Sequence, residues 1–203
     1  MEAFNLPKSC EVNKPLTKKM FIEKTPKGKS KFANIEKIKW LYKLSPSTIH
    51  IPKQGKVEEI HIFSLMLKSK ELPKEVIKSI KNLISYPILF QIKYEEEFCY
   101  ATYSIEGDKC YFSPWNVSVE FEFNETNLER VYENMVKKFL SSEVQKPQLD
   151  LKTAMALDHR VQVLSKEIEA LKKKISREKQ FNKQLELSRL LKPKERELKK
   201  LSN

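Results

Sequence analysis

A chain of 203 residues with 40% hydrophobic and 33% charged side chains can build one globular core with an appendage, and much of it must be surface. It contains no apolar run long enough to cross a membrane as a helix, and its opening MEAFNLPKSCEVNKPL has neither an apolar h-region nor an Arg-rich presequence, so export is not expected. Three scattered cysteines (Cys10, Cys99 and Cys110) exclude a disulfide framework and fit a reducing cytoplasm.

The net charge of +12 is uneven. Residues 1–56 carry 13 Lys and Arg against 4 Asp and Glu, residues 57–150 carry 11 against 16, and residues 151–203 carry 15 against 7. Two basic ends therefore bracket an acidic middle, a distribution suited to phosphate or an acidic partner.

In chain order, the first thirty residues read as a loop and a short basic helix. Pro15 starts that helix, and Leu16, Met20 and Phe21 face a core. KTPKGKSK (Lys24–Lys31) is a solvated loop. IKWLYKL alternates Ile38, Trp40, Tyr42 and Leu44 against Lys39, Leu41 and Lys43, a strand ended by Ser45-Pro46. EEIHIFSLMLK is apolar on both faces and predicts a strand inside a sheet. Leu72, Val76, Ile80 and Leu83 or Ile84 then recur at helical spacing. YPILFQIKY, an acidic turn at Glu95–Glu97, and FCYATYS predict a hairpin. Gly107-Asp108 turns into KCYFSP, and WNVSVEFEF (Trp115–Phe123) alternates Val117, Val119, Phe121 and Phe123 as a further strand. Asn124 caps a helix whose buried face is Leu128, Val131, Tyr132, Met135 and Phe139.

The fold class is α+β, a mostly antiparallel sheet with helices on one face, followed by a long C-terminal coiled-coil-like helix. Residues 1–142 form the α+β domain, with a basic N-terminal segment at 1–36. Residues 143–148 are a linker and 149–203 a helical module. In that module Leu157, Val161, Leu164, Ile168, Leu171 and Ile175 are spaced 4, 3, 4, 3 and 4 apart, the seam of a coiled coil. The next seam positions are Glu178 and Asn182, and beyond them Phe181 and Leu185 lie on a shifted face. The pattern predicts one helix over Leu149–Leu191, kinked near 178, with Pro193 opening a last short helix. A second copy, the chain's own end or another protein's helix would each cover the seam. The seam residues with Phe181 and Leu185 are the candidate partner-binding set.

Catalytic signatures are sparse. The three glycines (Gly28, Gly55 and Gly107) form no GxGxxG or P-loop, so an ATP or NAD cradle is not expected. No Cys or His pair has zinc spacing. His50, His61 and His159 are isolated and read as structural. A nuclease of the common restriction type needs a carboxylate two residues before a strand lysine, where Met66 precedes Lys68. A divergent metal site built from Glu58, Glu59 and later carboxylates is the alternative. Neither metal nor cofactor is expected. Trp40, Tyr42, Phe98 and Tyr100 alternate as core aromatics that could also stack bases. The basic candidates for nucleic acid are Lys18, Lys19, Lys24, Lys27, Lys29 and Lys31 near the start, and Lys172, Lys173, Lys174, Arg177, Lys179 and Lys183 in the terminal module. Neutralising six phosphates gives sequence-independent, salt-dependent binding.

FNLPKSCEVNKPLTKKMFIEK, IEKIKWLYKLSPSTIHI, VEEIHIF, YPILFQIKY, VYENMVKKF and SREKQFNKQLEL, in this order, resemble the bacterial and archaeal domain-of-unknown-function family DUF4391. The resemblance spans nearly the whole chain. It implies an accessory protein encoded beside DEAD/DEAH or SNF2-type helicases and DNA methyltransferases of restriction-like or anti-phage loci, and it carries over no catalytic residue. Ser64 and Met66 stand where more acidic character is expected, which weakens the nuclease alternative. The expectation is a non-catalytic, cytoplasmic subunit of a DNA-targeting defence or restriction complex. It would dock a helicase or methyltransferase and touch DNA backbone without sequence preference and with no membrane role. A homodimeric nucleic-acid binder is the further alternative.

Overall fold

The computed structural model describes residues 4–53, 55–105, 109–146 and 148–202. The chain forms two compact units, Met1–Phe139 and Leu140–Asn203. No helix among the described residues is long and apolar enough to cross a membrane.

The first unit is built on one six-stranded sheet in which spatial order equals chain order: β1 (Glu11–Leu16), β2 (Ile35–Leu44), β3 (Ile60–Leu67), β4 (Ile88–Tyr94), β5 (Glu97–Tyr103) and β6 (Cys110–Phe112). All neighbours are antiparallel except β3 and β4, which run parallel. Parallel neighbours need a crossover, and the helix Lys74–Leu83 supplies it. β3 and most of β4 are buried on both faces because they lie at the centre of the sheet.

The helices, in chain order, are α1 (Lys19–Ile22), α2 (Gly28–Lys31), α3 (Pro46–Ile49), α4 (Lys74–Leu83), α5 (Leu128–Lys137), α6 (Leu151–Arg177) and α7 (Phe181–Ser202). On one sheet face Phe63, Phe90, Ile92 and Ala101 join Val76, Ile77 and Ile80 of α4 and Phe21 and Phe32 from the α1–α2 region in one buried cluster. On the other, Phe4 meets Tyr42, Tyr100 and Phe121 at centroid distances of 5.9–6.0 Å, and Phe121 meets Phe139 just past α5. Helices are thus shared between the two faces.

The α+β class with a mostly antiparallel sheet stands, and several local expectations change. Pro15 lies in the edge strand β1 and starts no helix. An edge strand tolerates proline, and the pairing of Glu11–Leu16 comes from β2, with a bulge between Glu11 and Lys14. The loop at Lys24–Lys31 ends in the one-turn α2, whose Gly28 is buried. A Cβ there would stand 2.3 Å from the Ile22 carbonyl oxygen. A bulge between Trp40 and Tyr42 splits the predicted face of β2. Trp40 joins His61 and Phe63, whereas Tyr42 joins Phe4.

The strand expected at Trp115–Phe123 does not form. Pairing with β5 continues past β6, as the Ser113 N–H donates to the Tyr100 carbonyl and the Asn116 N–H to that of Phe98. Asn116 then adopts φ 60° and ends it. The helix cap is Asn127 rather than Asn124, its side chain accepting from the Arg130 N–H at 3.0 Å. The turn expected at Gly107-Asp108 lies outside the described residues.

In the second unit the long helix is α6, and it ends at Arg177. Residues past it return as α7, so the single kinked helix is a helical hairpin. Two cross-helix pairs follow the antiparallel order, Arg160 with Glu197 at 2.6 Å and Lys194 with Glu167 at 2.6 Å, and Lys172 also pairs with Glu195 at 2.8 Å. Pro193 lies inside α7, removing one backbone donor without ending the helix.

Candidate functional site: a histidine cleft and a basic hairpin end

Strand alternation places Glu59 and His61 on one face, and the β2–β3 register sets Lys43 opposite His61. The three side chains form a chain. Lys43 Nζ lies 2.6 Å from Glu59 Oε1, and His61 Nε2 lies 3.1 Å from Glu59 Oε2. Burial pushes the Glu59 carboxyl up, but hydrogen bonds from Lys43 and His61 and the Lys43 charge outweigh it and leave the group below its ordinary 4.5. Burial pushes His61 down; hydrogen bonding and the charge of Glu59 oppose this, and the imidazole stays below its ordinary 6.5. At neutral pH an ionised Glu59 therefore faces a neutral His61. Glu59 is an acceptor only, so Nε2 carries the proton and Nδ1 the lone pair.

His61 is 6% exposed, and its Nδ1 is buried with no hydrogen-bond partner. The ring borders a cleft of about 630 Å³ walled by Trp40, Phe63 and Tyr86, with the exposed Met20 and Leu83 at its rim. Trp40 and Tyr86 lie 4.7 and 5.2 Å from the imidazole, centroid to centroid. This is the size and character of a small-molecule pocket. Reading each histidine as isolated missed it. The signal was Glu59 two residues before His61 at the start of a largely apolar strand, since a buried imidazole there needs a partner. His50 and His159 are exposed.

The carboxylates of the nuclease alternative are occupied by cations: Glu58 pairs with Lys53 at 3.2 Å and Glu59 with Lys43 and His61. Among the described residues no group of three or more His, Cys, Asp and Glu is placed to hold a metal ion. The cysteines are free thiols, and burial pushes Cys99 and Cys110 up to about 12, far from a reactive thiolate.

The N-terminal basic candidates are used unequally. Lys18 donates to the Ile35 carbonyl at 2.7 Å. Lys19 pairs with Glu23 and Lys31 with Glu75. Lys24 borders the histidine cleft, and Lys27 and Lys29 are exposed around α2.

In the hairpin, the seam break marks the reversal. Glu178 is extended at the end of α6, and its carboxylate accepts from the N–H groups of Lys179 and Gln180, both at 2.9 Å. Gln184 Nε2 donates to the Glu178 carbonyl at 2.7 Å. A polar residue stands at this seam position because its task is to satisfy turn and helix-end backbone groups. Val161, Leu164 and Ile168 of the partner-binding set are buried, and Leu157, Leu171 and Ile175 half-buried. The helix packed along α6 is the chain's own α7. Phe181 and Leu185, 75% and 43% exposed, are the members of that set left facing solvent.

Around the closed end, Lys173, Lys174, Arg177 and Lys183 border a groove of about 540 Å³, with Glu178, Glu186, Leu187 and Leu190. Among the described residues none of the four cations is in a close ion pair, although the charge of Lys183 acts on Glu178, whereas Lys172 is held by Glu195 at 2.8 Å. Lys179 is exposed on the turn. The fold thus gathers four of the six C-terminal basic candidates on one groove.

Neither a curated protein nor a solved structure matches the chain. The family model described as Domain of unknown function (DUF4391) matches residues 4–198, and the chain belongs to that family.

Proposed function

We propose that this protein is a non-catalytic accessory subunit of a bacterial DNA-targeting restriction or anti-phage complex, acting in the cytoplasm. Its helical hairpin would dock a helicase or methyltransferase subunit and lie along DNA backbone. The observation that carries this reading is the closed end of the hairpin. Lys173, Lys174, Arg177 and Lys183, none of them in a close ion pair among the described residues, outnumber Glu178 and Glu186 around one groove, and two large apolar side chains, Phe181 and Leu185, stand exposed on α7. Lys and Arg in excess of carboxylates suit phosphate, whose charge sets affinity without reading sequence. An exposed aromatic beside an exposed leucine suits a protein anchor.

The test is co-purification from a host expressing the neighbouring helicase and methyltransferase genes. The wild-type chain is expected to bring down one of these subunits, and a Phe181→Ser/Leu185→Ser chain is expected to lose it while keeping its own fold. Equal recovery by both chains, or recovery of neither subunit with the wild type, would contradict docking through α7.

A further inference from the structure

We propose that the cleft beside His61 is a nucleotide site, holding a planar heteroaromatic ring with an N–H donor while the attached phosphate occupies the neighbouring lysine-lined recess. This proposal rests on the first unit and is independent of the hairpin.

Three observations converge on it. First, the cleft is lined by the partly exposed rings of Trp40 and Tyr86 around about 630 Å³ of space, and ring-on-ring stacking accepts any base because every base has a π-face. Second, the imidazole that borders the cleft carries one unmet hydrogen-bonding atom, Nδ1, which solvent does not reach; a ligand donor meets it only on a small movement of the surrounding rings. The role of Nδ1 is fixed by the other side of the ring, where Nε2 meets Glu59 at 3.1 Å. A lone pair buried without a partner costs free energy that an N–H or exocyclic amine of a ligand recovers. An acceptor-only ligand gains nothing there, so the site selects for a donor.

Third, the cleft shares Lys24 and Leu83 with a second recess of about 250 Å³. That recess is polar, bordered by Lys31, Lys78, Ser79 and Asn82 as well as Lys24, and it also contains the carboxylate of Glu75, which pairs with Lys31 at 3.5 Å. An aromatic slot joined to a three-lysine recess through one shared lysine matches a ring joined to a phosphate. Lysine side chains here take the part that backbone N–H groups play in a glycine-rich loop, which is why the scarcity of glycine in the sequence gave no hint of it.

The ring and phosphate can belong to a free mononucleotide or to one nucleotide of a single strand. The full-length chain, labelled with nitrogen-15 at histidine, is titrated with each nucleoside 5′-monophosphate, with the corresponding nucleosides, and with a short single-stranded oligonucleotide. A saturable shift of the His61 ring nitrogens with accompanying quenching of tryptophan fluorescence is expected. His61→Phe, which keeps a ring but removes the acceptor, should weaken binding roughly five- to tenfold. Lys24→Gln should weaken the nucleotide about tenfold and the nucleoside hardly at all. Saturation by a monophosphate identifies a free nucleotide as the source, and saturation by the oligonucleotide alone identifies a base of a strand; each supports the site. If His61→Phe loses its fold, as its urea midpoint would reveal, the exposed Lys24→Gln variant carries the test. The proposal is overturned if none of these probes moves the His61 resonances, or if nucleotides bind the Lys24→Gln chain as tightly as wild type. Oligonucleotide binding that persists at the hairpin while His61 is silent would remove this site and leave the proposed function standing.

Discussion

The sheet unit and the helical hairpin solve the burial problem in opposite ways. In the sheet unit, residues distant in sequence meet. Phe63 and Phe90 pack edge-on at 6.1 Å, Ile77 and Ile80 of α4 cover them, and most of the cluster is under 5% exposed. In the hairpin one buried row on α6 meets a helix whose apolar residues are at best half-buried, and the flanks are held by exposed ion pairs, each worth little on its own. The first unit can enclose a polar chain such as Lys43–Glu59–His61 because a large core surrounds it. The second has little interior and presents its chemistry outward. The proposed ligand site accordingly lies in the sheet unit, and the proposed polyanion contact lies on the hairpin.

The largest effects that would break this contrast lie in the core. Phe90→Ala is expected to cost about 3–5 kcal/mol, read as a shift of the urea unfolding midpoint. A cost under 1 kcal/mol would mean that the sheet core is not the close-packed element described. The hairpin's nearest equivalent is polar. Asp158 is fully buried, accepting from the Ser141 N–H at 2.8 Å, the Ser141 hydroxyl at 2.7 Å and Gln162 Nε2 at 2.7 Å. Asp158→Ala leaves those donors unmet and should cost about 2–3 kcal/mol. Circular dichroism at the helical signal, followed through urea, measures it.

A smaller effect separates the units by pH. The unfolded chain protonates His61 near its ordinary 6.5, the folded chain only at lower pH because the ring is buried. The stability that neutral His61 contributes is therefore complete above pH 6.5, declines below it, and levels off once the folded imidazole is charged. Glu59 and Lys43 are the charged groups facing it. Glu59, held below 4.5, adds a second loss as pH falls through its lowered value. Urea midpoints across this range should show the first decline in the wild type and lose it in His61→Phe. The smallest effect is at the surface: Phe181→Ser with Leu185→Ser should move the urea midpoint by under about 0.5 kcal/mol per site, so loss of a partner would not be a folding defect.

The parts of the fold legible in the sequence are those whose local pattern agrees with their tertiary surroundings. Ile60–Leu67 is apolar on both faces and central, and Val76 and Ile80, expected at helical spacing, are buried. β1 was illegible because Glu11–Leu16 is mostly exposed and polar, and its strand character is supplied by β2. The alternation in Trp115–Phe123 is real, but Phe121 and Phe123 use it to pack on Phe4 while Val117 is 45% exposed, so no ladder results. In the hairpin the seam was readable and its break was visible. Periodicity alone could not say that the break reverses the chain, because a turn made by Glu178 and Gln184 leaves no glycine or proline signal. Of the site, the C-terminal lysines were legible as a charge run. Their groove was not, since Lys183 reaches Lys173, Lys174 and Arg177 only through that reversal.

We propose that the closed end of the hairpin contacts nucleic-acid phosphate. The measurement that tests it most directly is the salt dependence of duplex DNA binding, comparing the full-length wild type with a chain carrying Lys173→Gln, Lys174→Gln, Arg177→Gln and Lys183→Gln. With each cation neutralising one phosphate, the slope of log K against log salt should fall in magnitude by about 3.6, with affinity lost at low salt and the urea midpoint unchanged. An unchanged slope and affinity in the variant would contradict the account and move DNA contact, if any, to the N-terminal lysines.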